Sequence, residues 1–424
     1  MRNEQLTVLV LATTFLRWEG DTVPQFMFEL TKALQSDNLN IVVLAPHYPG
    51  ARRKETISGI IVYRFPYFVP FRYQRLAFQG KGGIVPSMKT NLLAIFQAPI
   101  FILSLLLHTI WVIRKENVDV VNSHWLLPNG LIGAFITSVL GIPHVLTLHA
   151  RGVLVLQKVP FGWLIVNYVY QRSDMILPVS THIRDCFLEI GGGTVPVDGQ
   201  FQIQPMGAHV NEYDVSSKSE LRVDTGVDGE IQGLFVGRLA EKKGVDYLLD
   251  AMTIVSPEVD NFHLSIVGRG PLQEELHNYA DKLDLNGYVT FKGWVSEKEL
   301  IEQYIMADFV VVPSIEAESG DTEGMPTVIA EAFASGNPVI GTEVGGIPDV
   351  VKQGENGYVV PQKDAGAIAK RMRQLISEPE LRQDLEEGAL DSAERLDWER
   401  CAETYKEVFR SVSIPESIKD GGSV

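Results

Sequence analysis

The sequence predicts an α/β protein built from two doubly wound, mostly parallel sheets. Three observations lead to this fold class. Short apolar runs alternate with helix-like segments, a pattern typical of parallel sheets covered on both faces. The pattern restarts after Gly207. The chain has 424 residues, which is enough for two domains with large cores.

The first half of the chain accounts for one sheet. The apolar run after Arg2 superficially resembles a signal peptide, but it continues into Arg17 without a small-residue cleavage site, so we expect a buried strand. The predicted strands are Leu6–Thr13, Asn40–Ala45, Ile60–Phe65, Val118–Ser123, His144–His149, Met175–Val179 and Phe201–Gln204.

The second half repeats the alternation and ends in an amphipathic helix. We predict domains at 1–208 and 209–396, with residues 211–230 as a polar loop, a last helix at about 397–412 and a frayed tail at 415–424. The predicted strands are Leu234–Gly237, His263–Gly268, Val289–Lys292, Phe309–Pro313 and Pro338–Gly341.

Charge and cysteine content restrict the partners and the compartment. The 37 basic and 53 acidic residues give a net charge of −16, which argues against a general nucleic-acid binder. An anionic ligand held by a few local arginines and lysines remains compatible with this balance. The two cysteines, Cys186 and Cys401, are too few for a disulfide framework and predict a reducing, cytoplasmic location.

The segment 313–346 joins an acidic, glycine-containing loop to a predicted helix. Pro326 is typical of a helix's first turn, and Gly336 is a plausible stop. The backbone N–H groups of Gly324, Met325 and Thr327 should therefore point out of a helix N-terminus, where a phosphate can bind.

Two glutamates flank this helix start. Glu323 lies just before the helix and Glu331 about one turn inside it. Favourable interaction with the helix dipole, about 0.3–1 kcal/mol, would explain either residue taken alone. The complete block EGMPTVIAEAFASGNPVI, followed by Gly345-Gly346, resembles the signature of the retaining GT-B glycosyltransferases of family 4.

That resemblance implies a fold and an activity. The GT-B fold has two Rossmann-like doubly wound domains facing a cleft, and its C-terminal helix returns to the first domain. The implied reaction moves a sugar from a nucleotide diphosphate sugar, UDP- or GDP-linked, to an acceptor hydroxyl with retention at the anomeric carbon. Glu323 would hold the donor sugar and Glu331 the ribose. The resemblance implies neither a metal nor a tightly bound cofactor, and we find no convincing metal-ligand cluster in the sequence.

A second motif supports the first. Residues 237–244, GRLAEKKG, resemble the GRLxxxKG element of the same family. By that resemblance Arg238 and Lys243 neutralise the donor diphosphate, with a forked guanidinium and a point charge respectively. We expect Lys242 to point to water.

Weaker donor-site candidates lie on glycine-rich turns. The GRGP turn at Gly268 is similar to the family's GxGP turn, and Trp294 follows the next strand, where it is either a donor contact or a packing residue. Where the family usually has a glycine pair after its first strand, this chain has Gly20-Asp21. Gly20 keeps the tight turn on the donor side. Asp21 either contacts the acceptor or caps the following helix, which we expect to begin near Pro24.

Two predicted strands are followed or ended by histidine. His149 matches the family histidine that contacts the donor sugar near the reacting carbon, so we assign it a catalytic role together with Glu323, Arg238 and Lys243. His124 and Arg151 are weaker candidates for acceptor contact.

The expectation for the sugar acceptor rests on an apolar segment and an aromatic segment of the first domain. Residues 92–113 contain no charge and are long enough to cross a bilayer, but we expect a buried or membrane-facing helix of a soluble domain. With the aromatic segment 67–78, they motivate the hypothesis of a lipid-linked or polysaccharide-precursor acceptor and a peripheral position on the inner face of the membrane. A nucleotide-sugar epimerase of the same fold and a non-catalytic sugar-nucleotide-binding protein remain alternatives.

Overall fold

The fold is described from a computed structural model covering residues 5–21, 25–36, 38–77, 84–196, 199–259 and 261–413. The expected helix start near Pro24, the end of the aromatic segment at Phe78 and the tail at 415–424 lie outside these residues. The chain divides into two compact units. Unit 1 comprises Met1–Gln204 and Cys401–Val424, and unit 2 comprises Pro205–Arg400.

Each unit is built around one sheet, as the alternating pattern predicts. Unit 1 has strand order β3-β4-β2-β1-β5-β6-β7, parallel except for the antiparallel pair β3–β4. Its strands are β1 (Leu6–Leu11), β2 (Leu39–Pro46), β3 (Lys54–Ile57), β4 (Ile60–Phe65), β5 (Val120–His124), β6 (His144–Leu148) and β7 (Met175–Pro178). Unit 2 has the all-parallel order β10-β9-β8-β11-β12-β13. Its strands are β8 (Ile231–Val236), β9 (Phe262–Val267), β10 (Val289–Gly293), β11 (Phe309–Val312), β12 (Val339–Thr342) and β13 (Gly357–Val360).

Helices connect the strands and cover the sheets, because both faces of a parallel sheet are apolar. The helices of the first unit are α1 (Phe26–Leu34), α2 (Ile84–Thr90), α3 (Leu92–Glu116), α4 (Leu131–Leu140), α5 (Ala150–Leu156), α6 (Gly162–Gln171) and α7 (Thr181–Gly191). Those of the second are α8 (Lys218–Thr225), α9 (Val245–Val255), α10 (Gln273–Lys282), α11 (Glu297–Met306), α12 (Thr327–Ala334), α13 (Ile347–Val350), α14 (Ala365–Ser377) and α15 (Pro379–Arg395). The last helix is α16 (Trp398–Ser413).

Helix α16 returns to the first unit, as the GT-B fold requires. Tyr405 and Phe409 on this helix are fully buried. The Tyr405 hydroxyl lies 3.3 Å from Thr147 Oγ1 on β6, and its ring stacks on His124 at the end of β5. The sequence alone showed an amphipathic helix, and these contacts show what its apolar face covers.

Four local predictions were wrong, and one of them is the omission of the four-residue edge strand β13. Residues 201–204 form no strand, since only an isolated bridge joins Phe201 to Ile176. The edge strand β3 was missed because its sequence, KETI, is too polar and short to stand out. The predicted polar loop 211–230 contains α8, which Arg222 anchors by donating to the Met306 carbonyl and pairing with Asp308.

Candidate active site

The acidic loop and its helix lie at the carboxyl edge of the second sheet, where ligands bind in open α/β folds. β11 ends at Val312, and α12 begins at Thr327. Pro326 is the N-cap residue, with φ −69° and ψ 118°, so it lies one position before the expected first turn. Within the described chain, no hydrogen bond uses the amide N–H of Gly324, Met325 or Thr327. These amides are therefore open to an anion.

Lys243 and Glu323 lie together at this edge, as the sequence predicts. Lys243 Nζ is 3.2 Å from Glu323 Oε1, and both side chains are nearly buried, with 13% and 11% of their surface exposed. Burial would raise the pKa of Glu323, but the ammonium groups of Lys243 and Lys242 lower it below its ordinary value. Glu323 is therefore ionised at neutral pH. Its Oε1 atom is fully buried and lies 3.2 and 3.6 Å from the ammonium groups of Lys243 and Lys242.

The expectation for Lys242 was wrong. Its Nζ donates to the Thr322 carbonyl at 3.1 Å and lies 3.6 Å from both Glu323 Oε1 and Asp321 Oδ1. The loop 313–326 folds back over residues 241–243, which turns the Lys242 side chain away from water. Glu323 therefore has two cationic neighbours.

Close backbone packing holds these loops in place. Gly345 has φ +59°, and a Cβ there would lie 2.2 Å from the Glu323 carbonyl oxygen. Gly268 has φ +137°, and a Cβ there would lie 1.8 Å from the Gly237 carbonyl oxygen. Only glycine fits such approaches at positive φ. The GRGP turn therefore packs directly on the turn that carries Arg238 and Lys243.

Glu331 is tied to a residue that sequence reasoning missed. Its Oε2 atom accepts a hydrogen bond of 2.7 Å from the Tyr304 hydroxyl. Burial raises the pKa of Glu331 above its ordinary value. The Tyr304 ring packs edge-to-face against Tyr213. Tyr304 sits inside an ordinary amphipathic helix, so no local signal marks it.

Two further predicted donor residues are solvent-exposed. Arg238 is exposed, and no ion pair joins it to a described residue. Trp294 is 57% exposed, which favours a ligand contact over a packing role. Both follow strand ends of the second sheet, β8 and β10 respectively.

In the first unit, His124 and His149 form a hydrogen-bonded chain with Asn122. His124 Nε2 lies 2.8 Å from Asn122 Oδ1, and His124 Nδ1 lies 3.1 Å from His149 Nε2. The Asn122 amide nitrogen donates to Val145 O and Thr147 Oγ1, so its Oδ1 must accept. Burial lowers the pKa of His149 to about 3. The pKa of His124 is also lowered, mainly by burial and secondly by the neighbouring His149. Both rings are neutral, so each donates from Nε2. The Nδ1 atom of His149 is left as an acceptor.

The other candidate residues of the first unit are not part of this hydrogen-bonded series. The Asp21 carboxylate is held by Arg17, whose Nε and Nη2 lie 2.8 and 2.5 Å away. The N-cap residue of α1 is Gln25, four positions after Asp21. Gly20 has φ +78° in open space, as a tight turn requires. Arg151 lies in the first turn of α5 and is half-buried.

Among the described residues, no group of three or more His, Cys, Asp or Glu side chains is arranged to hold a metal ion. In the described part of the chain, the ion pairs of Glu323 are with Lys242 and Lys243.

Two family sequence models match most of the chain. The model described as Glycosyltransferase Family 4 matches residues 23–196, and the model described as Glycosyl transferases group 1 matches residues 217–391. The chain belongs to glycosyltransferase family 4. It is therefore a glycosyltransferase with the GT-B fold, and a nucleotide sugar is the donor class that fits its relatives.

Several relatives are similar to this chain over more than half of their own length. An uncharacterized glycosyltransferase of Methanocaldococcus jannaschii is 29% identical over 71% of this chain and 78% of its own. The N-acetyl-alpha-D-glucosaminyl L-malate synthase of Bacillus anthracis is 26% identical over 76% and 82%. A GDP-mannose-dependent alpha-(1-6)-phosphatidylinositol monomannoside mannosyltransferase of Mycobacterium tuberculosis is 28% identical over 51% and 56%.

Solved structures show the same fold over nearly the whole chain. Sucrose-phosphate synthase from Thermosynechococcus elongatus has a TM-score of 0.74 at 20% identity, covering 96% of this chain and 99% of its own. Anabaena HepE in complex with UDP has a TM-score of 0.72 at 18% identity, covering 96% and 100%. At such identities these likenesses concern the fold.

Proposed function

We propose that this family 4 protein transfers a hexose from a UDP- or GDP-sugar to an acceptor hydroxyl, with retention at the anomeric carbon. The observation that carries the proposal is the Lys243–Glu323 pair, 3.2 Å apart, beside the start of α12. A buried cation, a buried carboxylate and open amides together suit a ligand that is anionic at one end and rich in hydroxyls at the other.

The donor diphosphate binds to the cationic side of this site. Arg238 is exposed and can reach a phosphate with its forked guanidinium, while Lys243 supplies a point charge. The amides of Gly324, Met325 and Thr327 add the positive end of α12. As the bond between the anomeric carbon and the phosphate oxygen breaks, charge grows on the departing diphosphate. These groups stabilise that charge without reorganising, which is the usual source of the largest rate enhancement.

The two glutamates bind hydroxyls. Glu323 is ionised, and we assign its carboxylate to hydroxyls of the donor sugar. Glu331 binds the ribose hydroxyls, with its carboxylate oriented by Tyr304. Gly268 and Trp294 flank the nucleotide, and Gly20 lets backbone approach the donor.

The first unit contributes an uncharged hydrogen-bond acceptor, a ring nitrogen of His149. His149 Nδ1 has a lone pair because the ring donates from Nε2 to His124. We assign this nitrogen to a donor-sugar hydroxyl. Asp21 and Arg151 remain candidates for acceptor contact, although Arg17 already binds the Asp21 carboxylate. Both ring nitrogens of His124 are bonded within the protein, so we assign this residue to positioning His149.

The chemical step needs no external base. The acceptor oxygen bonds to the anomeric carbon as the bond to the diphosphate breaks, and the acceptor proton passes to the departing phosphate oxygen. The acceptor is a lipid-linked sugar or a polysaccharide precursor, presented at the inner face of the membrane. The name of the mycobacterial relative, which includes a phosphatidylinositol monomannoside, supports this class of acceptor.

The first test is a donor screen by thermal shift with UDP- and GDP-sugars, since a ligand of the folded state raises its apparent stability. Product analysis by NMR then gives the anomeric configuration. Inversion at that carbon would exclude the retaining mechanism. Release of an altered sugar from donor alone, without acceptor, would identify an epimerase, and binding without turnover would identify a scaffold.

The second test is Glu323→Gln. This change keeps the side-chain volume but removes the charge, so turnover should be lost while the far-UV spectrum is unchanged. Glu316→Gln is the matched control, because Glu316 is an exposed glutamate of the same loop. Near-normal turnover in Glu323→Gln would remove this residue from the mechanism.

A further inference from the structure

One face of unit 1 is apolar where a globular protein is normally charged. Helix α3 leads into β5, α4 joins β5 to β6, α6 leads into β7, and α4 packs against both of the others. We call their outward side the apolar layer. Its exposed large apolar residues are Leu92, Ile95, Phe96, Ile100, Ile102, Leu103, Leu107 and Trp111 on α3, Phe135 and Val139 on α4, and Trp163 and Leu164 on α6.

Unit 2 provides an internal comparison, because it has the same kind of architecture. Among the described residues, its exposed large apolar side chains are Val223, Ile254 and Trp294. Its outer helix α10 instead exposes Glu274, Glu275 and other polar residues. The apolar layer of unit 1 is thus a feature of that unit alone.

The size of the layer exceeds what scattered surface residues produce. Helix α3 has 25 residues and is therefore about 37 Å long. Helices α4 and α6 have ten residues each and are about 15 Å long, and neighbouring helices lie about 8–10 Å apart, so the three cover roughly 600 Å². The largest apolar patch on a typical monomer is about 300–600 Å² and is often functional.

Helix α3 cannot leave the sheet to span a bilayer without exposing polar anchors. It is long and apolar enough to cross a membrane, but a third of its most apolar window is buried inside the unit. Gln97 accepts from the backbone N–H of Arg75 at 2.9 Å, and Ser104 donates to the Pro66 carbonyl at 2.6 Å. The helix is therefore suited to lie along a surface with its other side inserted.

The charges around the layer identify the partner. Between residues 92 and 173 the sequence has two acidic residues, Glu116 and Asp119, although the whole chain carries 53. The same stretch has five basic residues, which are Arg114, Lys115, Arg151, Lys158 and Arg172. Arg114, Lys115, Lys158 and Arg172 are exposed, at the end of α3 and on either side of α6.

The end of α3 has the composition of a membrane interface. The Lys115 ammonium lies 4.4 Å from the Trp111 ring centroid. A shallow pocket beside them is lined by Arg53, Lys54 and Leu107 as well. The nearest carboxylates are engaged, since Glu116 accepts from the Tyr63 hydroxyl and Glu55 pairs with Arg64. Tryptophan and basic residues beside an apolar stripe are typical of proteins that bind the headgroup region.

We propose that the apolar layer docks on an anionic lipid bilayer, with α3, α4 and α6 lying in the interface plane. The inserted side chains reach the acyl boundary, and Arg114, Lys115, Lys158 and Arg172 bind lipid phosphates. Docking is independent of the transferase chemistry. Delivery of a lipid-borne acceptor by this surface rests on the proposed function.

The test is co-flotation of the full-length protein with vesicles of phosphatidylcholine alone or with phosphatidylglycerol. The protein should float with the anionic vesicles, and raised salt should release part of it because surface charges are screened. Leu103→Glu/Leu107→Glu and Arg114→Glu/Lys115→Glu should each lower the partition coefficient by about tenfold or more. The matched control Val223→Glu/Ile254→Glu, on unit 2, should float as the wild type does.

Every variant is also titrated with the nucleoside diphosphate that the wild type binds. Unchanged nucleotide affinity with lost flotation shows a folded protein and supports docking. Failure of the wild type to float, or equal flotation of all variants, overturns the proposal. A dimer in solution that dissociates in Leu103→Glu/Leu107→Glu would assign the layer to a second copy and overturn it as well. A protein that floats but transfers no sugar would leave docking intact and refute the proposed function.

Discussion

Replacing Lys243 by Met should both destabilise unit 2 and weaken donor binding. The substitution keeps an unbranched side chain beside Gly237 and removes the ammonium group. A Cβ at Gly237 would lie 3.4 Å from the Lys243 Cε. Glu323 would then remain ionised and buried with one cationic neighbour, Lys242, instead of two.

The size of the loss follows from the distances. Unit charges 3.2 Å apart attract by about 5 kcal/mol at an effective dielectric constant of about 20, before desolvation is subtracted. Removing one partner of a buried pair costs about 3–5 kcal/mol when no other cation remains. Because Lys242 stays 3.6 Å from Glu323, we expect about 1–3 kcal/mol.

The pH dependence distinguishes this charge effect from packing. The pKa of Glu323 is lowered in the folded state, so its ionised form stabilises the fold above the ordinary carboxyl pKa, and this contribution is lost as pH falls through the folded pKa. The difference between wild type and Lys243→Met should therefore be largest at pH 7 and shrink towards pH 4. Urea unfolding followed by far-UV circular dichroism, with each transition fitted separately, measures it.

A matched control is available on the surface of the same unit. Lys298 forms a pair with Glu302 at 3.6 Å, but its side chain is 88% exposed. Lys298→Met should cost at most about 0.5 kcal/mol, the usual value for an exposed helical pair. Titration calorimetry with UDP and GDP should show a loss of about 1.5–3 kcal/mol for Lys243→Met, the scale of a hydrogen bond to a charged group. Unchanged nucleotide affinity would refute the diphosphate role, and a pH-independent stability loss would refute the ion-pair reasoning.

Three further predictions concern other parts of the molecule. Lys242→Met should lower kcat by about ten- to a hundredfold with little change in nucleotide affinity, because this lysine positions Glu323; an equal loss in both quantities would make it a phosphate ligand. Burial lowers the pKa of His144 to about 3 in the folded protein. Below about pH 6.5 the His144 ring is therefore protonated in the unfolded chain but not in the folded one, and the free energy of unfolding decreases as the pH is lowered. His144→Gln should remove about 1.3 kcal/mol of the stability difference between pH 7 and pH 5.5, and an unchanged difference would mean that the ring titrates normally. Activity should survive EDTA, and complete loss reversed by a divalent cation would contradict a mechanism based on lysine, arginine and helix amides.

Several elements were predictable because their signals are local. The buried strands carry continuous Val, Ile and Leu runs, so β1, β2, β4 and β11 are recognisable in isolation. The glutamate loop and α12 are adjacent in sequence, so their arrangement follows from the proline and the helix that it precedes. The edge strand β3 was not predicted, because it is short and polar.

The sequence by itself determined the two-sheet fold class and the position of the glutamate block, because backbone periodicity and helix-start chemistry depend on neighbouring residues. Tertiary structure alone decided that Lys242 turns towards Glu323, that Tyr304 orients Glu331, and that Asn122 and His124 set the tautomer of His149. Such pairings join residues far apart in the chain. They exist because parallel strands bring their carboxyl ends to one edge of a sheet, and no sequence pattern records which loops meet there.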